Sequence, residues 1–176
     1  MLKRLLTGLI VVVAMSGTAA AGPLEDADAA SQRGDYATAM RLYRPLAEQG
    51  NAEAQNELGT LYEQGLGVPE DYAEAMKWYA RAAEQGEAAA QNNLGATYES
   101  GKGVRAGEQV GENRFIVTTV CCQPLYVMAH MWFNLAAAQG DKWAAEARDA
   151  VAKKMTPDQI AEAQRMAREW KPTPAQ

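Results

Sequence analysis

The chain has 176 residues, of which 48% are hydrophobic, and its 17 basic and 22 acidic residues give a formal net charge of −5. This length suits one globular domain. An acidic chain without a basic cluster excludes nucleic acid and anionic membrane surfaces from the expected partners.

The N-terminus has the layout of a secretory signal peptide, which we assign to residues 1–21. Lys3 and Arg4 precede a short apolar run, and small residues follow it. Ala19 and Ala21 fit an A-x-A cleavage site, so we predict cleavage after Ala21. An uncleaved membrane anchor is the alternative, although the apolar run is shorter than the roughly 20 residues that span a bilayer. The mature chain is therefore expected to be periplasmic or secreted, without a membrane span.

The motif LGxxYxxGxGV occurs twice, and the two copies lie 36 residues apart. Self-similarity at this period predicts stacked helical hairpins, and therefore an all-α repeat protein. Repeat units present surfaces rather than build reaction centres, which favours a binding scaffold over an enzyme. The motif positions are Leu58, Gly59, Tyr62, Gly65 and Gly67 in the first copy, and Leu94, Gly95, Tyr98, Gly101 and Gly103 in the second.

Each repeat unit is expected to consist of a helix A, a loop and a helix B. In the complete unit, Gly65 ends helix A in a left-handed conformation, and Asp71 caps helix B. Alignment of the units places a solenoid domain at 22–170 and a flexible tail at 171–176. Within the domain we predict a partial repeat at 24–50, a complete repeat at 51–86, a split repeat at 87–140 and a C-terminal cap at 141–170.

The aromatic, leucine and glycine positions of the repeat are predicted to be packing positions, with an aromatic ligand cage as the alternative. Gly59 recurs as Gly95 although glycine costs about 1 kcal/mol in a helix. We therefore expect helix B to cross closely at both glycines. The equivalent tryptophans of helix B are Trp78 and Trp132, and the glycines that end it are Gly86 and Gly140.

The C-terminal cap begins with a predicted helix from Asp141 to about Met155. Thr156 then starts a second helix as its N-cap, with Pro157 at the first helical position and Gln159 completing a capping box. We expect this helix to run to about residue 170. Together the pair would cover the exposed apolar end of the solenoid, as terminal units must.

The loop of the split repeat carries an insertion at about 105–122. Val104 and Tyr126 are 22 positions apart, whereas the corresponding Val68 and Tyr72 of the complete unit are four positions apart. Three interpretations of this partly β-prone stretch stay open. It is a loop that contacts a ligand, an extension without function that the fold tolerates, or a recently acquired segment. The adjacent Cys121 and Cys122 lack a third cysteine and CxxC spacing. A strained vicinal ring and a bridge to another chain both stay open, and so does a redox role.

The pattern LGxxYxxGxGVxxDxxxAxxWYxxAAxQG describes residues 58–86 and resembles the Sel-one-like repeat (SLR) family, relatives of the tetratricopeptide repeats. The resemblance covers about residues 24–170. It implies α/α-hairpins stacked into a short right-handed superhelical solenoid, with a concave surface lined largely by A helices. It also implies scaffolding of protein complexes or signalling, often in the bacterial cell envelope.

The chain departs from the family pattern in its small number of units, its insertion and one helix cap. Leu125 stands where an aspartate caps helix B in the other units, so helix B of the split repeat is expected to start at Pro124. Some secreted members of the family carry a cysteine pair in each repeat and are linked to β-lactam binding. The repeat units here lack such pairs, so this activity is not carried over.

The candidate partner-binding positions share one side of each A helix, because they are spaced by four and three residues. Polar amides at these positions suit hydrogen bonding to an extended peptide backbone, whereas a solvated acidic stripe is the alternative for the two glutamates. The positions are Asn56, Thr60 and Glu63 in one helix and Asn92, Ala96 and Glu99 in the next.

No catalytic residue, metal site or cofactor is predicted. His130 is the single histidine, and it is interpreted as a packed or surface residue because no partners stand at metal-ligand spacing. No GxSxG elbow is present either. The favoured function is a non-catalytic interaction scaffold or adaptor of the cell envelope that binds a protein or peptide. The alternatives are a cell-wall or β-lactam-binding envelope enzyme and a structural spacer in a larger assembly.

Overall fold

The computed structural model describes residues 22–103, 109–110, 115–116 and 125–173. The predicted signal peptide, most of the insertion with Cys121 and Cys122, and residues 174–176 lie outside the described residues. The described elements are α1 (Pro23–Gln32), α2 (Tyr36–Glu48), α3 (Ala52–Gln64), α4 (Tyr72–Glu84), α5 (Ala88–Ser100), β1 (Gln109–Val110), β2 (Phe115–Ile116), α6 (Tyr126–Ala138), α7 (Lys142–Ala152) and α8 (Pro157–Glu169).

Consecutive helices pack against each other and form a stack of α/α-hairpins. The hairpins are α1–α2, α3–α4 and α5–α6, and the contacts α2–α3, α4–α5 and α6–α7 join them. The A helices are therefore α1, α3, α5 and α7, and the B helices are α2, α4 and α6. The prediction of an all-α repeat solenoid is confirmed. Inside the insertion, the short strands β1 and β2 pair antiparallel.

Glycine and aspartate set the boundary between helix A and helix B. Gly65 and Gly101 follow α3 and α5 with left-handed φ values of 65° and 68°, which confirms the prediction for Gly65. The Asp71 carboxylate accepts hydrogen bonds from the backbone N–H groups of Ala73 and Glu74, each at 3.0 Å. These contacts satisfy backbone groups that the helix ends leave without partners.

The split repeat returns to the register of the complete repeat at Leu125. The Leu125 N–H donates to the Tyr98 carbonyl at 3.0 Å, just as the Asp71 N–H donates to the Tyr62 carbonyl at 2.9 Å. Helix α6 begins directly after Leu125 without a side-chain cap, so the expected start at Pro124 is wrong. The main-chain hydrogen bond places this residue whatever side chain it carries, and the helix therefore starts at the same point as α4.

Each complete hairpin has its closest crossing at a glycine of helix A. A Cβ atom added to Gly59 would lie 2.5 Å from the Tyr79 ring, and one added to Gly95 would lie 2.7 Å from the Phe133 ring. Both distances are far inside van der Waals contact. Since both aromatic side chains are almost fully buried, they have no free space to move into. The prediction of a close crossing at both glycines is confirmed.

Helices α7 and α8 close the C-terminal end of the stack. The predicted capping box is confirmed: Thr156 Oγ1 accepts from the Gln159 N–H at 3.3 Å, and Gln159 Oε1 accepts from the Thr156 N–H at 2.9 Å. Helix α8 packs along α6. At the position of Gly59 and Gly95, α7 carries an exposed Asp149. The glycine that marks the close crossing in α3 and α5 is therefore missing from α7.

The first residues of the predicted flexible tail lie against the end of α4. The Thr173 N–H donates to the Glu84 carbonyl at 2.7 Å. Before it, the Trp170 ring meets the Trp132 ring edge-on, with ring centroids 6.2 Å apart. The contact of Trp170 fixes the end of α8, and the Thr173 hydrogen bond holds residues 171–173 on the fold. The rest of the predicted tail is outside the described residues.

His130 is packed in the core of the split repeat, with 3% of its surface exposed, at a position that Met40 and Met76 occupy in the other units. Burial lowers its pKa, Arg148 lowers it further, and Asp149 opposes both. An unfolded histidine takes up a proton near pH 6.5, whereas the folded chain does so only at lower pH. Between these two pH ranges the unfolded chain binds the His130 proton and the folded chain does not. The contribution of His130 to the free energy of unfolding therefore falls as the pH drops below about 6.5.

The variant His130→Met is expected to be more stable than the wild type by about 1 kcal/mol at pH 7.5, and by more at pH 5.5. The Nδ1 atom of His130 is buried without a hydrogen-bond partner in the described part of the chain, and leaving such an atom unsatisfied costs about 1–3 kcal/mol. Urea denaturation at the two pH values measures the difference. If the stability difference between the variant and the wild type is no larger at pH 5.5 than at pH 7.5, the pKa of His130 is not lowered in the folded chain.

Candidate partner-binding surface

The exposed side of the A helices is defined by residues two, six and nine positions after each N-cap. The N-caps of α3, α5 and α7 are Asn51, Glu87 and Asp141. Side chains at the three positions are exposed or half-buried in every one of these helices. We call this surface the helix-A face, and it comprises Glu53, Glu57, Thr60, Ala89, Asn93, Ala96, Trp143, Ala147 and Ala150.

Asn56, a predicted partner-binding residue, is only 7% exposed. Its Nδ2 donates to Glu57 Oε1 at 3.1 Å, and its Oδ1 accepts from Asn93 Nδ2 at 3.0 Å. The Asn56 amide therefore links α3 to α5, which places two A helices side by side. Its repeat equivalent, Asn92, is half-buried at the border of the helix-A face.

Glu63 is held within its own hairpin. The Tyr79 hydroxyl donates to Glu63 Oε2 at 2.7 Å and lies 3.2 Å from Thr60 Oγ1. Burial raises the pKa of Tyr79 above its usual value; the Thr60 hydrogen bond opposes that rise, and the Glu63 carboxylate adds to it. Tyr79 therefore stays protonated and keeps donating to Glu63, so this carboxylate fastens helix B to helix A.

Glu99 occupies the same repeat position as Glu63 but has a different partner. Helix α6 carries Phe133 where α4 carries Tyr79, so no hydroxyl reaches Glu99 from that position. Instead, Glu99 Oε1 forms an ion pair with Lys154 Nζ at 2.9 Å, across to the residues that follow α7. Both side chains are partly exposed, and a surface pair of this kind contributes little to stability because solvent screens it.

The six predicted positions divide into two groups. Thr60 and Ala96 belong to the helix-A face, whereas Asn56, Glu63, Asn92 and Glu99 are buried or half-buried beside it. Four of the six predicted positions are therefore less exposed than the spacing suggested, or are held by contacts within the fold. The role of these residues in partner binding stays a prediction.

A buried glutamine links neighbouring hairpins, and the sequence reasoning did not identify it. Gln55 is 4% exposed. Its Nε2 donates to the Ala47 carbonyl at the end of α2 at 2.9 Å. Its Oε1 accepts from Gln85 Nε2 at 2.7 Å. One side chain thus bridges the end of the preceding B helix and the end of its own.

The next unit repeats this arrangement. Gln91 is fully buried, donates to the Ala83 carbonyl at 3.2 Å and accepts from Gln139 Nε2 at 2.9 Å. The sequence signal was the recurrence of glutamine at a 36-residue separation, together with the glutamine in each Ala-x-Gln-Gly helix end. In α7 the equivalent residue is Ala145, so this linkage stops where the solenoid ends.

Two carboxylates of the helix-A face, Glu53 and Glu57, lie near carboxylates of neighbouring elements. Glu57 is half-buried, and burial is the main cause that raises its pKa. The Asn56 hydrogen bond opposes this rise, and the negative charges of Asp28, Glu53 and Glu87 reinforce it. Carboxylates from α1, from α3 and from the N-cap of α5 therefore act on one another. We call Asp28, Glu53, Glu57 and Glu87 the acidic patch.

Two further properties concern the described residues only. Their His, Cys, Asp and Glu side chains form no group of three or more that could hold a metal ion. None of their helices combines the length and the apolar character that crossing a membrane requires.

The sequence matches the family model described as Sel1 repeat over residues 28–51, 52–87, 88–109 and 123–141. These matches cover more than half of the chain, and the interval between the last two coincides with most of the insertion. Among proteins with curated descriptions, none matches this chain significantly.

Solved structures support the same relationship. A protective antigen present in uropathogenic Escherichia coli strains, which displays an SLR fold, is 28% identical with a TM-score of 0.71 and matches 84% of this chain. A Sel1 repeat protein from Oxalobacter formigenes is 29% identical with a TM-score of 0.59 and matches 86% of this chain. The chain spans only 29% and 55% of the lengths of these two proteins.

Proposed function

Because this chain belongs to the Sel1 repeat family, we propose that it is a non-catalytic adaptor of the bacterial cell envelope that binds a protein or peptide segment through its helix-A face. Sel1 repeats generally mediate protein–protein interactions, and their fold is typically a non-catalytic scaffold. The observation that carries the proposal is the continuous helix-A face, on which Trp143 is 79% exposed. Aromatic anchors of this kind are enriched where partners bind.

The proposed envelope location rests on the N-terminal sequence. A basic start, a short apolar run and an A-x-A site are typical of an exported precursor. Cleavage after Ala21 would leave Gly22 as the first residue, and Gly22 is the N-cap of α1. The proposed cut therefore falls immediately before the first described helix and would remove no part of the repeat stack.

The proposal predicts that a partner crosslinks to the helix-A face in intact cells. A photo-crosslinking amino acid in place of the exposed Ala96 is expected to give a discrete adduct of higher mass in the periplasmic fraction. The same amino acid in place of Lys77, exposed on helix α4, is the matched control. Ala96 is a better probe than Glu63 or Glu99, because both carboxylates are engaged within the fold.

Adducts of equal yield at the two positions would contradict a specific helix-A site, and so would their absence at both. The envelope-enzyme alternative is separated by incubating the purified chain with nitrocefin. Hydrolysis that rises in proportion to chain concentration, or a stable acyl adduct in the mass spectrum, would contradict the non-catalytic role.

A further inference from the structure

We propose that the segment bound by the helix-A face is a basic peptide, which places lysine or arginine side chains on the acidic patch and one apolar side chain against Trp143. This inference rests on the proposed binding function and adds the chemistry of the partner. The occupant is an extended protein segment, because the features that recognise it are spread over successive A helices rather than gathered in one cavity.

Charge is segregated between helices A and B in α1 to α5, whereas the A helix α7 carries Lys142 and Arg148 as well as two acidic residues. Within their described bounds, helices α1, α3 and α5 contain no lysine or arginine, whereas α2 and α4 contain both signs of charge. The charged residues of these three A helices are Glu25, Asp26, Asp28, Glu53, Glu57, Glu63 and Glu99. A cationic segment that lies along these helices therefore meets carboxylates without competing cations, and an anionic segment meets only repulsion.

The acidic patch is a set of negative charges that the fold does not neutralise with cations of its own A helices. Glu57 is at its centre, since Asp28, Glu53 and Glu87 all act on it from neighbouring elements. The negative charges of the other three carboxylates disfavour the ionised form of the half-buried Glu57. An ammonium or guanidinium group among these carboxylates would offset that effect and form charge-assisted hydrogen bonds.

Trp143 provides the apolar end of the surface. It stands two residues after the N-cap of α7, where Glu53 and Ala89 stand in α3 and α5, so it shares a row with Glu53 of the acidic patch. Its exposed fraction of 79% makes it the exposed large apolar residue of the described chain. The half-buried Ala147 lies one turn further on the same side, which leaves room for a partner side chain over the indole.

The spacing of these features sets the length of the bound segment. Packed helices lie about 10 Å apart, and the direct hydrogen bond from Asn93 to Asn56 indicates such a separation between α3 and α5. Two such steps from Glu53 to Trp143 amount to roughly 20 Å. An extended chain rises about 3.3 Å per residue, so about six residues should separate the basic cluster from the apolar side chain.

The probes are fluorescein-labelled synthetic peptides measured by fluorescence anisotropy with the full chain. The reference peptide has three basic residues, six Ser and Gly residues and a terminal phenylalanine, prepared in both chain directions. One comparison peptide replaces the basic residues with glutamate, a second replaces phenylalanine with serine, and a third shortens the linker to two residues. At least one direction of the reference peptide is expected to bind at least tenfold more tightly than the acidic and the short-linker peptides.

Two variants test the two ends of the surface. Glu53→Lys with Glu57→Gln is expected to weaken binding of the reference peptide about tenfold. The matched control, Glu162→Lys with Glu169→Gln, makes the same charge change on exposed positions of α8 and should change binding less than twofold. Trp143→Ala is expected to weaken the reference peptide about fivefold and to leave the serine peptide unchanged. Equal melting temperatures establish that the variants are folded.

Some outcomes would overturn this inference alone. If the acidic peptide binds as well as the reference, or if both double variants behave alike, the basic-partner inference fails, and a crosslink at Ala96 would still support the proposed function. If no peptide binds and no adduct forms, both fail. If the Glu53→Lys, Glu57→Gln variant does not fold, two other experiments replace it. One measures peptide binding by the single variant Glu53→Gln, which changes an exposed residue. The other measures whether added salt weakens binding by the wild type, because salt screens the charges.

Discussion

The variant Gly95→Ala is expected to lower the free energy of unfolding by about 2–3 kcal/mol, in the range that extra methyl groups cost in a packed interior. The new Cβ would stand 2.7 Å from the Phe133 ring, and Phe133 is 1% exposed. One of the helices must therefore shift. The sign of the stability change is informative, because helix propensity alone would make the alanine variant more stable by about 1 kcal/mol. Urea denaturation followed by circular dichroism measures the change.

The neighbouring residue provides a control for Gly95→Ala. Ala96 is exposed on the same helix, so Ala96→Gly should report helix propensity alone and cost about 1 kcal/mol. A second change, Phe133→Leu, should recover part of the loss, because a smaller side chain makes room for the methyl group. A variant Gly95→Ala as stable as the wild type would show that the two helices are further apart than described.

Replacing Gln91 by alanine is expected to cost about 3 kcal/mol. The side chain is fully buried, so its removal leaves a cavity. It also leaves the buried Ala83 carbonyl without its hydrogen bond, and an unsatisfied buried polar group costs about 1–3 kcal/mol. The exposed Gln139 amide loses its bond to Gln91 but remains accessible to water. Because Gln91 joins successive hairpins, the loss should also reduce the cooperativity of unfolding, seen as a smaller urea m-value.

Gln64→Ala at the exposed end of α3 is the control for the loss of a glutamine and should change stability by less than about 0.5 kcal/mol. A double-mutant cycle with Gln139→Ala tests the hydrogen bond itself. The two substitutions should be less than additive, since either one removes the same contact. Strict additivity would mean that Gln91 and Gln139 do not interact in solution.

Elements whose signals are local were predictable from the sequence. The Thr156 capping box needs only residues that lie within one helical turn of each other, and it formed as predicted. The close crossings at Gly59 and Gly95 were also predictable, because a repeat that keeps glycine inside a helix has a packing reason for it. Repetition strengthened the glycine signal, since it was seen in two units.

Contacts between distant residues were not predictable in the same way. Gln55 and Gln91 are repeated polar residues on helices, and a repeated glutamine is more often exposed. Only the stacking of hairpins brings each one against the carbonyl end of the preceding B helix. Asn56 likewise fits an exposed binding position by its spacing, yet its amide is hydrogen bonded to the next A helix.

Equivalent repeat positions acquired different environments through their neighbours. Glu63 and Glu99 have the same residue type and the same place on helix A. The hydroxyl of Tyr79 reaches Glu63, whereas Phe133 has none to offer, and Glu99 pairs with Lys154 instead. A site inferred by repeat symmetry therefore needs the partner helix to be considered as well.

The sequence by itself determined the all-α class, the hairpin repeat and most helix ends, because each of these depends on side chains within a few residues of one another. The tertiary structure decided which polar groups are used inside the fold and which face the solvent. That division depends on which helices lie side by side. For this reason the candidate surface is the row of Glu53, Ala89 and Trp143 rather than Asn56 and Glu63. Asn56 is buried and hydrogen bonded to the next A helix, and Glu63 is hydrogen bonded to Tyr79.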